Sequence, residues 1–367
     1  MLFGYPLAAT AENWLHECLD QILQFIHKNL DNGNLSTDWA EAIAEPYRTR
    51  LKRRLKVSEK PDPKKLSLGD KLKSYQTSLK SFDISERSRI LQAFNDQNNI
   101  ALLLSGACAC EAITDLPKEI REPVKILFQA AFASLTDLEI RKKQYELIYN
   151  NLSYRVCPFC GCEDFDGLDA PQEALDHYLP EHKYPFAAAN LRNLVPMGNK
   201  CNSRYKLVQD IISKEDGTRR KSFDPYNHHR TIAISLDKSQ PFSGAIGQIG
   251  TPLPRWEIDF SFDSEEVRTW DEVFKIRERY ERDVLNEGFN SYLREFGNHC
   301  KAFNCIPTSV NELIDAISRY ADFQESNGFK DKAFLKAAVF RMLQIHCQNG
   351  DQRLINFIKD IVNGVSV

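Results

Sequence analysis

Between residues 153 and 206 the chain stops reading as helix. Cys, His, Pro, Asn and Gly crowd together there, and the three- and four-residue spacing of apolar positions disappears. Such a segment has no helical stripe to bury, so turns, short strands or a metal must organise it. Its flanks are different. Residues 1–47 are helix-like, with Trp14, Leu15, Cys18, Leu19, Ile22, Leu23, Phe25 and Ile26 at helical spacing and a turn at Asp31-Asn-Gly-Asn. Residues 68–150 are helical again, with a start near Ser85-x-x-Ser88, periodic segments at Leu116–Leu135 and Leu138–Leu152, and Pro117 and Pro123 near helix starts. Beyond the central segment, Thr231–Leu236 and Arg255–Phe262 alternate as strands around a loop marked by Gly244, Gly247, Gly250, Pro252 and Pro254. Residues 270–300 predict one long amphipathic helix with Val273, Ile276, Tyr280, Val284 and Leu285 on one side, and 309–362 predict two or three more. This order predicts an α+β chain, mostly helical, in three regions: a helical part over 1–150, a small central module over 151–230, and strands followed by helices over 231–367.

Composition narrows the class. The 367 residues are 42% hydrophobic and 27% charged, a globular balance. The longest apolar runs, such as Ile100–Leu104, are too short to span a bilayer. Met1–Thr10 has no basic region and Glu12 interrupts its apolar run, so neither a signal peptide nor a membrane partner is expected, and the cytoplasm is the expected compartment. The ten cysteines form no regular framework and read as reduced thiols. Cys108 and Cys110 sit among small residues and read as structural. A net charge of −3 gives no global sign of a nucleic-acid partner. Locally, residues 48–65 hold nine Lys or Arg (Arg48, Arg50, Lys52, Arg53, Arg54, Lys56, Lys60, Lys64, Lys65) against Glu59 and Asp62 and run through Pro61-Asp-Pro63. That run reads either as a solvated helix face with a loop or as a phosphate-contacting arm.

The central segment carries the chemistry. Cys157-Pro-Phe-Cys160-Gly161 has the spacing of a zinc knuckle, whose tight turn lets two thiolates reach one tetrahedral ion. Cys201 is a third candidate, but Gly198 stands where a second C-x-x-C would need its first Cys. Cys162, His182, His228, His229 and a water are the candidates for a fourth ligand, and a metal-free packed turn is the alternative. Asp176-His177 places a hard oxygen ligand beside an imidazole that titrates near neutrality, the type of group that takes a proton from water. Adjacent residues on a strand face opposite ways, so a bend or hairpin is needed for both to serve one site. Asn193 and Asn202 can brace a loop, cap a helix or donate a carbonyl oxygen to a cation.

Taken in order, Asp176-His-Tyr-Leu-Pro180, Asn193-Leu-Val-Pro196 and Cys201-Asn-Ser-Arg-Tyr-Lys206 resemble the HNH endonuclease family, the His-Me-finger or ββα-metal nucleases, over about 50 residues from Cys157 to Lys206. The resemblance implies a β-hairpin followed by a helix and a metal-dependent hydrolysis of phosphodiester bonds. His177 would be the general base. Asp176 and Asn202 would hold one catalytic Mg²⁺ or Mn²⁺, Asn193 would fix the hairpin and orient His177, and Cys157, Cys160 and Cys201 would hold structural Zn²⁺. Lys183, Arg192, Lys200, Arg204 and Lys206 are the candidate phosphate contacts of a nucleic-acid substrate, DNA in preference to RNA. Larger bacterial proteins with this motif look like restriction or anti-phage defence components, some paired with an ATPase, so a partner ATPase or regulatory protein is a further expectation. The competing class is a non-catalytic zinc-knuckle module that binds nucleic acid or protein.

Overall fold

The computed structural model describes residues 1–62, 65–170, 175–244 and 252–364. The fold is mostly helical, with two small two-stranded antiparallel sheets, which places it in the α+β class. Contacts divide the chain into two compact units rather than three consecutive regions. One is Gly4–Leu152 with Asp166–His228, and the other is Met1–Phe3 with Ser153–Phe165 and His229–Val367. The C-x-x-C turn therefore folds with the C-terminal segment, and the Asp176-His177 strand folds with the N-terminal helices. Pro63, Lys64, Gly247 and Gly250 lie outside the described residues.

The first unit is built from helices α1 (Trp14–Asp31), α2 (Tyr47–Leu51), α3 (Leu68–Leu79), α4 (Ile84–Asn98), α5 (Ile100–Leu104), α6 (Lys118–Asp137) and α7 (Ile140–Asn151). Helix α1 buries Trp14, Leu15, Cys18, Leu19, Ile22, Leu23 and Ile26, the stripe legible in the sequence. Each large apolar side chain so buried contributes about 1.5–3 kcal/mol. Helix α3 starts at a capping box, in which Asp70 N–H donates to Ser67 Oγ at 3.0 Å and Ser67 N–H donates to the Asp70 carboxylate at 2.9 Å. The start of α4 is set by Asp83, which accepts from Glu86 N–H, and not by Ser85. Pro117 is the N-cap of α6 and Pro123 lies inside it.

Two strands complete this unit: β1 (Leu175–His177) and β2 (Leu194–Pro196), followed by a π-helical turn at Cys201–Lys206. The segment joining the strands is anchored in the helical core. Phe186 packs edge-on against Phe94 of α4 and Phe128 of α6, at 5.7 and 5.4 Å between ring centroids. Three side-chain amides reinforce it. Phe186 N–H donates to Gln97 Oε1 at 3.1 Å, Asn98 Nδ2 donates to Phe186 O at 3.2 Å, and Gln144 Nε2 donates to Leu191 O at 3.0 Å. A hairpin this short has too little surface to hold itself, and α4, α6 and α7 supply what it lacks.

In the second unit, the expected strands form as a shorter pair, β3 (Ile234–Ser235) with β4 (Asp259–Phe260). Helices α8 (Glu265–Phe274), α9 (Ile276–Arg279), α10 (Asn286–Ala302), α11 (Val310–Ser326), α12 (Ala333–Gln348) and α13 (Gln352–Asn363) follow. The single helix expected over 270–300 is broken. Lys275 takes φ 52° between α8 and α9, and a π-helical turn at Tyr280–Leu285 separates α9 from α10. Ser264, Ser309 and Asp351 cap α8, α11 and α13. Among the described residues, no helix is long and apolar enough to cross a membrane.

Candidate functional site

The strand pairing sets Asp176 opposite Val195 and His177 opposite Leu194. Asn193, the last residue of a 3₁₀ turn leading into β2, is fully buried and uses its whole side chain. Its Oδ1 accepts from Leu179 N–H at 2.6 Å, and its Nδ2 donates to Leu179 O and Ala187 O, both at 3.2 Å. Its carbonyl accepts from Tyr178 N–H at 2.8 Å. Asn193 therefore ties the residues after His177 to the segment that faces His177.

That segment fixes the imidazole. His177 Nε2 lies 3.0 Å from Ala188 O. A carbonyl only accepts, so Nε2 carries the hydrogen and Nδ1 keeps its lone pair. Nδ1 faces Glu181 Oε2 at 3.6 Å. Two acceptors so placed are reconciled by a donor or a cation between them. The other Glu181 oxygen, Oε1, is buried and has no hydrogen-bond partner among the described residues. Burial pushes the His177 pKa down to about 4, with the charges of Lys206 and Arg141 adding to the effect, so the ring is neutral at pH 7.

Asp176 is held from the π-helical turn. The Lys206 side chain is 1% exposed, and its Nζ lies 2.8 Å from Asp176 Oδ2 and donates to His177 O at 2.7 Å. Burial raises the Asp176 pKa, and the Lys206 ammonium opposes that rise. Lys206 therefore braces β1 from within, and the expectation that it meets a substrate phosphate is corrected. Asn202 is half-buried on the same turn, four residues earlier.

The other expected phosphate contacts divide by their partners. Lys183 pairs with Asp210 at 2.5 Å and Arg192 pairs with Asp224. Lys200 and Arg204 are exposed. In the run that starts at Arg48, α2 leads into a loop, and Arg50, Arg53 and Arg54 line one side of a groove of about 860 Å³ with Lys71, Ala130 and Ala133. Arg50 lies over the Trp14 ring and Arg54 pairs with Asp137 at 3.1 Å, so two of these arginines have partners in the fold.

The C-x-x-C residues form a tight turn. Cys160 N–H and Gly161 N–H donate to Cys157 O at 3.2 and 2.7 Å, and Gly161 adopts φ 66°. Trp270 Nε1 and Tyr280 Oη donate to Phe159 O and Cys160 O, each at 2.8 Å. Cys157 and Cys160 are buried in this turn, and Cys201 is buried at the start of the π-helical turn of the other unit. The residues expected as a fourth ligand have other surroundings. Cys162 instead donates from Sγ to Cys160 O at 3.2 Å, His182 and His229 are exposed, and the His228 ring packs on Phe223.

Sequence reasoning missed two charged residues beside His177. Glu181 had a signal, because it lies four residues after His177 across Pro180. Arg141 had none. Its guanidinium stacks over Phe132 at 4.7 Å, and the Phe132 ring lies 4.4 Å from the His177 ring. Compared with protein-family models, with curated proteins and with solved structures, the chain matches none.

Proposed function

We propose that this chain is a metal-dependent nuclease of the HNH type that hydrolyses phosphodiester bonds, with His177 as its general base. The arrangement of His177 carries the reading. A neutral imidazole with Nε2–H fixed on Ala188 O offers Nδ1 to a water. Asn193 holds the Ala187 end of the same segment, so the base is oriented by the hairpin and not by free rotation. Asp176, Glu181 and Asn202 are the oxygen donors that would hold Mg²⁺ or Mn²⁺, and the buried, unpaired Oε1 of Glu181 favours a cation there. Such an ion, when bound, supplies charge neutralisation at the phosphate and the leaving oxygen. Cys157, Cys160 and Cys201 are buried thiols of the type that hold structural Zn²⁺.

A plasmid-cleavage assay with Mg²⁺ or Mn²⁺ tests the reading. Nicking or linearisation by the wild type is expected, with loss on chelation by EDTA and in His177→Ala. Cleavage by His177→Ala at the wild-type rate refutes the base assignment. A protein that binds nucleic acid, cuts none and is indifferent to His177→Ala is a binding module instead.

A further inference from the structure

Arg141 is the cation in this unit whose surroundings make least sense without a ligand. It is the second residue of α7, and its neighbours along the helix are matched: Lys142 lies 3.9 Å from Glu146, and Lys143 lies 3.2 Å from Glu12. Among the described residues, Arg141 has no carboxylate within ion-pair distance. Its one hydrogen bond is from Nη1 to Thr136 Oγ1, at 3.2 Å. A guanidinium has five N–H donors in a planar fork suited to two oxygens of one anion. Here the arginine is half-buried with its Cζ over the Phe132 ring, and burial lowers its pKa. Holding a cation partly out of water without an anion is unfavourable, and stacking on an aromatic face offsets only part of that cost.

The location is as informative as the missing partner. The guanidinium and the His177 ring both lie against Phe132, and the Arg141 charge is felt at His177. Asp176 is already matched by Lys206, so it does not neutralise Arg141. The α7 N-cap is the exposed Glu139, whose side chain makes no cap hydrogen bond, and the first turn holds no acidic residue. Phe132 belongs to α6, which also contributes Ala130 and Ala133 to the groove lined by Arg50, Arg53 and Arg54.

We propose that Arg141 is a substrate-binding residue that takes a phosphate of the nucleic-acid backbone beside His177, with Phe132 holding the guanidinium flat for a two-oxygen contact. The proposal rests on the nuclease reading for the identity of the substrate and on the geometry of Arg141 for the site. It explains a half-buried arginine over an aromatic ring that meets no acid among the described residues.

The test measures binding and cutting separately. Binding of a fluorescein-labelled DNA duplex to the full-length chain is followed by anisotropy in EDTA, at several salt concentrations. Arg141→Met, Arg141→Lys and Lys142→Met are compared with the wild type, and each is checked for its thermal transition. Arg141→Met is expected to weaken binding by roughly tenfold or more and to lower the salt slope by about one. Arg141→Lys should recover part of the loss, and Lys142→Met should stay within about twofold of wild type. Because no ion pair among the described residues is broken, Arg141→Met should melt no lower than wild type. Wild-type binding by Arg141→Met, equal loss in Lys142→Met, or no duplex binding by the wild type overturns the proposal. If Arg141→Met loses binding while wild type and His177→Ala are both inert in cleavage, the phosphate site stands and the nuclease reading fails. If His177→Ala abolishes cleavage while Arg141→Met binds and cuts normally, the nuclease stands and the Arg141 site fails.

Discussion

Replacing Lys206 by Met removes the ammonium that joins the turn after β2 to β1 and keeps most of the side-chain volume. The Lys206 side chain is 1% exposed and that of Asp176 is 16% exposed, so the pair is not a solvent-screened surface bridge. Breaking a buried pair from one side typically costs about 3–5 kcal/mol, because the remaining charge is left in a poor solvent. Here Asp176 keeps some water and can take up a proton, so about 2–3 kcal/mol is expected at pH 7, including the lost 2.7 Å hydrogen bond to His177 O. Asp176→Asn should cost a similar amount by stranding the lysine. The double variant Asp176→Asn/Lys206→Met leaves no buried charge and should cost no more than about 1–2 kcal/mol, giving a coupling of at least about 1.5 kcal/mol. Urea denaturation of the four proteins, followed by circular dichroism, measures each term. Additive losses, or a Lys206→Met cost under about 0.5 kcal/mol, would show that Lys206 is an ordinary surface cation and that its bracing of β1 is wrong. The double variant has a second use. If it folds well yet cuts nothing, the two residues serve the reaction beyond holding the strand.

Acid should weaken the N-terminal unit well above the usual carboxylate range. Burial lowers the pKa of His16 and of His27, which lies 2.9 Å from Tyr75 Oη, to about 4 each. The fold binds fewer protons than the unfolded chain between pH 6.5 and 4, so this contribution is complete above pH 6.5 and is lost as pH falls. At pH 5 each histidine should have cost about 2 kcal/mol relative to pH 7, and a urea midpoint that does not move between those two values refutes the burial. Asp70 acts in a lower window. Its carboxylate accepts from Ser58 and Ser67 and has a pKa lowered to about 2, so its contribution is present above pH 3.8 and lost below it, and Asp70→Asn should remove that last step. Elemental analysis of the purified protein should find about one zinc per chain, reduced in Cys157→Ser and in Cys201→Ser. A zinc-free protein of unchanged stability would leave these cysteines as packing.

What the sequence made legible was local, and what it hid depended on distant partners. Asp176, His177 and Asn193 could be picked out because a short hairpin brings them together whatever surrounds it. Asn193 then does what its residue type allows, saturating the backbone between Leu179 and Ala187. The C-x-x-C turn was readable for the same reason. Lys206 was misread because a lysine after Asn202-Ser-Arg looks exposed on any helical count. Its burial follows from a π-helical turn and from the position of β1, and neither is written in the spacing. The long helix over 270–300 failed similarly, since the left-handed Lys275 is a residue with no conformational signature of its own. Arg141 is the extreme case. It stands 36 positions before His177, and its environment is assembled from α6, α7 and β1 at once. Charge patterning treats it as one of three consecutive cations, Arg141-Lys-Lys, all equally solvated. Only the fold separates them, giving the two lysines carboxylates and leaving the arginine on an aromatic ring beside the imidazole. On the proposed reading, helices that look like scaffold also carry the charge a phosphate would meet, so a motif confined to residues 157–206 would give the reacting groups of the site and omit part of its binding surface.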